Sequence, residues 1–119
     1  MLSKEKRITE RKEFDRFFGF AFKKKYGKSL AGAYFIIKGM RNEHKTSRFG
    51  FIVNNKIDNR ATVRNKIKRR LREIVRLNFA KIKDNIDFLI VVKPAVKDRT
   101  KADLEREFFL LMGKLGALK

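Results

Sequence analysis

The chain has 119 residues, with 32 Lys and Arg against 13 Asp and Glu, a formal charge of +19. That excess is far beyond what solubility asks of a small domain, and it points to a polyanionic partner. With 43% hydrophobic residues, 12 Phe and no Cys, the composition argues against a disordered chain and excludes disulfides and thiolate metal sites.

The length suits one domain with one core, residues 1–119. No apolar run is long enough for a signal peptide or a membrane span, so a cytoplasmic protein without a membrane partner is expected. Residues 1–8 are polar and expected to be extended, after which Thr9 is placed to cap a helix with Glu10 in its first turn. Phe14, Phe17, Phe18 and Ala21 or Phe22 recur at helical spacing and carry that helix to about Phe22 or Tyr26. Gly19 weakens it by about 1 kcal/mol relative to Ala. Lys23 to Ser29 reads as a basic turn, and Ala33 to Lys38 as a strand ending at Gly39.

By two-residue alternation Tyr34, Ile36 and Lys38 share one face of that strand, and Phe35 and Ile37 the other. An aromatic, an aliphatic and a lysine make poor core but a reasonable platform for stacking unpaired bases and holding their phosphates. Phe14 and Phe18, one helical turn apart, can form its second wall, although in an ordinary domain each would be core.

Arg41 to Ser47 is largely polar and leads to a second strand, Arg48 to Val53, the two together predicting an antiparallel hairpin. Asn54 to Arg60 is a loop into a helix that starts at Ala61 or Thr62 and ends near Phe79 or Lys81. Ile86 to Val92 is a further strand, stopped by the only proline, Pro94. Asp98 to Thr100 can start a last helix, where Leu104, Phe108, Leu111, Met112 and Leu115 form an apolar stripe and Gly113 and Gly116 fray the end. Strands on either side of the middle helix imply a crossover connection, right-handed by default.

That middle helix carries the densest charge. At about 100° per residue, Arg64, Asn65, Lys68, Arg69, Arg72 and Arg76 occupy one arc of roughly 140°, while Val63, Ile67, Leu71 and Ile74 fill the neighbouring arc. A merely solvated face would interleave acids at i,i+4 spacing. Only Glu73 interrupts the run from Arg64 to Arg76, so repulsion stands until a polyanion relieves it, and the helix reads as a nucleic-acid face.

The catalytic inventory is thin. His44 is the only histidine and sits in a polar loop, and Asp84, Asp87, Asp98, Asp103, Glu105 and Glu107 lie near element ends, where capping and local ion pairs account for them. No residue of this chain is therefore assigned as catalytic or as a metal ligand. The seven glycines form neither GxxxxGK[ST] nor GxGxxG, Gly27-Lys28-Ser29 being the nearest fragment.

Arg48-Phe49-Gly50-Phe51-Ile52-Val53, Lys56, Ala61-Thr62-Val63 and Arg64-Asn65-Lys66-Ile67-Lys68-Arg69 with Arg72 together resemble the signature of the bacterial ribonuclease P protein subunit family. Its pattern is a strand of the R-x-G-x-x-V type, a short lysine-bearing loop and a helix opening R-N-x-x-K-R-x-x-R. Weaker agreement extends over nearly the whole chain, through Arg7-Ile8, Phe14-x-x-Phe17-Phe18, Gly27-Lys28-Ser29, Tyr34 to Lys38, and Asp87 to Val91 followed by Pro94-Ala95.

The resemblance implies a compact two-layer α+β sandwich of order α-β-β-β-α-β-α. Its crossover around the basic helix would be left-handed, as in the second domain of a small-subunit ribosomal protein. It implies a ribonucleoprotein whose large RNA is the catalyst, cutting precursor tRNA with magnesium to release the 5′ leader, with no obligate protein partner. Arg64, Asn65, Lys66, Lys68, Arg69, Arg72 and Arg76, with Lys56 and Arg60, would then contact the catalytic RNA. A cleft formed by Phe14, Phe18, Tyr34, Ile36 and Lys38 would receive the single-stranded leader. Three departures stand out. The loop before the helix has one lysine and Asp58 where the family often pairs lysines with a glycine, and Gly19 to Phe22 is extra, leaving Phe18 or Phe22 for the cleft. Lys38 stands where an aromatic is common, exchanging a stack for a phosphate contact. On composition alone, a structural RNA-binding protein of the ribosomal or RNA-chaperone type is the alternative.

Overall fold

A strand that is apolar on both faces belongs in the middle of a sheet, and that governs the topology. The computed structural model describes residues 2–25 and 27–119, apart from the side chains of Phe20 and Ala21. Strand β4 (Ile86–Val92) lies between β2 (Phe35–Arg41), antiparallel to it, and β3 (Arg48–Ile52), parallel to it. Strand β1 (Lys28–Ala31) pairs with β2 at the far edge, giving the order β1-β2-β4-β3. The antiparallel hairpin expected from 33–38 and 48–53 does not form, because β4, with Asp87 to Ile90 all buried, takes the place between them. The parallel β3–β4 pair, joined through helix α3 (Ala61–Asn78), is the expected crossover.

One face of the sheet holds the main core. Phe35, Ile37, Phe49, Phe88 and Ile90 meet Leu71, Ile74 and Val75 of α3, and Leu104, Phe108, Leu111 and Met112 of α4 (Lys101–Lys114). The rings of Phe49 and Phe88 stack with centroids 4.6 Å apart. The bounds of α3 and the α4 stripe match the sequence expectation. Thr100 closes the start of α4 with a capping box, its Oγ1 accepting the Asp103 N–H at 3.1 Å.

The opposite face carries a smaller cluster of Ile8, Phe17, Met40 and Leu89, with Phe14, Phe22, Ile52 and Val91 half-buried against it. The single N-terminal helix expected here is broken. Helix α1 (Arg11–Asp15) runs into a 3-10 turn, Gly19 is extended at φ −120° and ψ −168°, and α2 (Phe20–Lys24) follows. Thr9 is not its cap: Glu10 stands at the N-cap position without a side-chain bond. The expected helix end at Tyr26 and contact at Ala21 lie outside the described residues.

Two local readings also change. Lys28 to Ala31, expected within a basic turn or just after it, is an edge strand, mostly exposed and held by its ladder to β2. Strand β2 begins two residues later than expected, because the Glu107 carboxylate accepts the N–H groups of Ala33 at 2.6 Å, Tyr34 at 2.8 Å and Phe35 at 3.2 Å. Tyr34 therefore precedes the strand. It packs against the main core, with the Arg99 guanidinium 5.6 Å from its ring, instead of sharing a face with Ile36 and Lys38.

Candidate nucleic-acid interface

The apolar arc of α3 is locked into the core, with Leu71, Ile74 and Val75 each at most 1% exposed, which turns the charged arc outward. Asn65, Arg69 and Arg76 are exposed on it, with Lys66 exposed beside it, and Lys68 and Arg72 are half-buried where it leans over β3. There the N-terminal segment extends the sheet: Arg7 bridges in parallel to Phe49, and the Ile8 N–H donates to the Phe49 carbonyl at 2.8 Å. Arg7 thereby faces Lys68 and Arg72 across a groove of about 390 Å³, walled by Phe14 and floored by Ile52 and Val53.

This groove gathers three cationic side chains, Arg7, Lys68 and Arg72. The Nε atoms of Arg7 and Arg72 are buried and have no hydrogen-bond partner among the described residues. Burial, and then the charges of Arg7 and Arg69, push the Arg72 guanidinium below its ordinary pKa. Lys66, Lys68 and Arg69 form no ion pair among the described residues, whereas Arg76 pairs with Glu73 and holds its carboxyl below the ordinary value.

A second aromatic and cationic pair lies further along. Phe18 is 62% exposed, and Lys38 Nζ stands 4.6 Å from its ring and 5.4 Å from that of Phe22. Phe22 is half-buried near Phe17, their centroids 6.2 Å apart, so the exposed ring of the two is Phe18. Lys38, Leu89 and Gly50 are register partners in one row across the sheet, and a Cβ on Gly50 would lie 2.7 Å from Phe14. The Phe18–Lys38 pair and Phe14 thus sit toward opposite ends of one row, roughly 10 Å or two strand spacings apart. Ile36 lies on the same face, half-buried.

The start of α3 is held differently. Arg64 donates through Nη1 to the carbonyls of Asp58 at 3.0 Å and Asn59 at 2.8 Å. The Asp58 carboxylate accepts from Arg60 Nε and Nη2 and from its backbone N–H, and pairs with Lys97 at 3.0 Å. Arg60 and Arg64 thus hold the loop as well as charging the surface, while Lys56 is exposed with its N–H on Asn54. Sequence reasoning did not place Arg7 or Lys97 here: Arg7 entered only through the weaker Arg7-Ile8 agreement with the family pattern, and its approach depends on pairing with β3.

The hydrogen bonds from Arg60, and then that from Lys97, hold the Asp58 carboxyl well below the usual carboxylate range. The sign follows from linkage. A depressed native value contributes stability above the ordinary value of 3.8, lost as pH falls below it toward the native one. Asp58→Asn is therefore expected to be less stable than the parent at pH 6, with the gap narrowing below about pH 4. Urea unfolding across that range reads it, and a gap independent of pH would refute it.

The family model for ribonuclease P matches residues 2–116. The ribonuclease P protein component of Syntrophomonas wolfei is 34% identical over 116 residues, covering 98% of this chain and 92% of that protein. That of Clostridium novyi is 30% identical over 117 residues, covering 97% of each. Among solved structures, the Staphylococcus aureus RNase P protein superposes with a TM-score of 0.81 at 25% identity, covering 96% of this chain and 98% of that one. The RNase P protein from Thermotoga maritima does so at 0.77 and 28%, covering 91% and 96%. With the R-x-G strand, the basic helix and the sheet order in place, the chain belongs to the bacterial ribonuclease P protein family.

Proposed function

We propose that this chain serves as the single-domain protein subunit of ribonuclease P. It binds the catalytic RNA through the charged face of α3, and the 5′ leader of precursor tRNA along the row from Phe18 and Lys38 to Phe14. The observation that carries this reading is the groove in which Arg7 Nε and Arg72 Nε are buried, without partners among the described residues, beside Phe14. A buried unmade hydrogen bond costs about 1–3 kcal/mol, and a backbone phosphate supplies charge-assisted acceptors to both donors. Phe14 and Phe18 offer ring faces to the bases such a strand carries. A purely structural RNA-binding protein accounts for the helix but not for this groove.

In this reading the bond-breaking groups lie on the RNA, and the protein acts on substrate binding and ionic requirement, in the cytoplasm and without an obligate protein partner. Magnesium belongs to the holoenzyme. Among the described residues no group of three or more His, Cys, Asp or Glu comes together to hold a metal.

The test is reconstitution with a bacterial ribonuclease P RNA. Protein plus RNA is expected to remove the leader at lower magnesium and salt than RNA alone. Phe14→Ala and Phe18→Ala should each weaken precursor binding by the holoenzyme by up to about 1–3 kcal/mol, the worth of a base stack, and leave leaderless tRNA nearly unchanged. Equal losses on both substrates would return these rings to a packing role. Site-specific cleavage by the RNA-free protein would move the chemistry onto this chain.

A further inference from the structure

Two residues of the β3 motif, Arg48 and Gly50, do not belong to the RNA-facing set. Alternation puts them with Ile52 on the sheet face beneath α1, while Phe49 and Phe51 enter the main core. The Arg48 side chain is only 11% exposed. Its Nε and Nη2 donate to Asp87 at 2.9 and 2.6 Å, and its Nη1 reaches Glu13 of α1 at 3.0 Å. Gly50 does the complementary thing by lacking a side chain. A Cβ there would lie 2.7 Å from Phe14 Cε1, 3.1 Å from Phe14 Cζ and 3.3 Å from Ile8 Cβ.

The two contacts fall on consecutive residues of α1, Glu13 and Phe14, and on alternate residues of β3. Helix α1 has five residues and no side-chain cap, far too short to hold its own place, so its register comes from what it touches. One contact is a charged tether and the other a steric seat. Phe14 is also the wall of the groove that holds Arg7 and Arg72.

We infer that Arg48 and Gly50 are positioning residues for leader recognition: through Glu13 and the seat under Phe14 they fix where that ring stands, and so set how well the holoenzyme separates leader-bearing precursor from mature tRNA. The inference rests on the reading of Phe14 as a leader contact. The strand half of the motif then serves substrate discrimination from beneath, and the helix half serves RNA contact from above.

The experiment measures holoenzyme affinity for a precursor tRNA and for the same tRNA without its leader, in parallel with affinity of the protein for the ribonuclease P RNA. Gly50→Ala is expected to cut the precursor preference by at least about fivefold, the lower end of a lost base stack, with affinity for the ribonuclease P RNA unchanged. In a Phe14→Ala background the two closest contacts are gone and only that with Ile8 Cβ at 3.3 Å remains, so Gly50→Ala should there cost little further precursor preference. Glu13→Ala keeps both Arg48–Asp87 bonds, so the core tether stays; it should lose preference in the same sense, and Glu13→Gln, which retains an acceptor, should recover part of it.

If Phe14→Ala lowers the preference but Gly50→Ala and Glu13→Ala do not, the positioning role fails while the leader reading stands. Additive effects of Gly50→Ala and Phe14→Ala overturn it as well. If Phe14→Ala itself leaves the preference intact, the leader reading fails first and this inference falls with it. Should Gly50→Ala not fold, Glu13→Ala decides.

Discussion

Asp87→Ala is expected to destabilise the protein by about 3–5 kcal/mol, the cost of stripping one partner from a buried ion pair. Asp87 is 1% exposed near the start of the central strand and receives two bonds from Arg48 and one from Asn42 Nδ2 at 2.7 Å. Without it, Arg48 stays buried with Glu13 as its one remaining carboxylate among the described residues, and Asn42 loses a charged acceptor. Small domains hold about 5–15 kcal/mol in total, and this one folds against a charge of +19, so the variant should be largely unfolded at low ionic strength. Urea unfolding measures it. The cost belongs to the orphaned charge more than to lost attraction, so Arg48→Met combined with Asp87→Leu should recover most of the stability. An Asp87→Ala deficit within about 1 kcal/mol would show that water or Glu13 already compensates Arg48.

The same pair marks the boundary of what the sequence discloses. Periodicity fixes α3 and α4 closely, because each buries a continuous apolar arc against the sheet and its stripe must match that burial. β4 is legible as a run, Ile86 to Val92, but its central position is a fact about the sheet: only the competition for a two-faced site puts it between β2 and β3. Asp87 at the head of that run looks like a strand-end acid, and nothing local says that Arg48, 39 residues earlier, will meet it. β1 is counted in the strand order that the family resemblance implies but is not legible in the residue pattern, because an exposed edge strand is defined by its partner's hydrogen bonds and not by its own alternation. At the interface, the basic arc follows from angles alone. Arg7 does not, since it reaches Lys68 and Arg72 through a bridge to Phe49, and Tyr34 is drawn off its expected face by Glu107, 73 residues away.

Arg72→Met should move stability and RNA binding in opposite directions. The Arg72 guanidinium is disfavoured by burial and by the nearby charges of Arg7 and Arg69, and its Nε has no partner among the described residues. Removing the charge while keeping an apolar stem of similar length relieves the free protein, so its unfolding midpoint should rise or hold at low salt. The bound state loses a charge-assisted phosphate contact, about 1.5–3 kcal/mol, and the salt dependence of binding the ribonuclease P RNA should become shallower by roughly 0.7–0.9 units of slope. Lys68→Ala, which breaks no ion pair among the described residues, should show the same loss of slope with little change in stability. Arg64→Ala should behave otherwise, because Arg64 holds the carbonyls of Asp58 and Asn59: it loses stability along with affinity. Affinity titrations from about 50 to 200 mM salt, alongside unfolding of each free protein, separate the three. If Arg72→Met lowers stability and leaves the slope untouched, the guanidinium is a packing element, and the groove beside Phe14 is not an anion site.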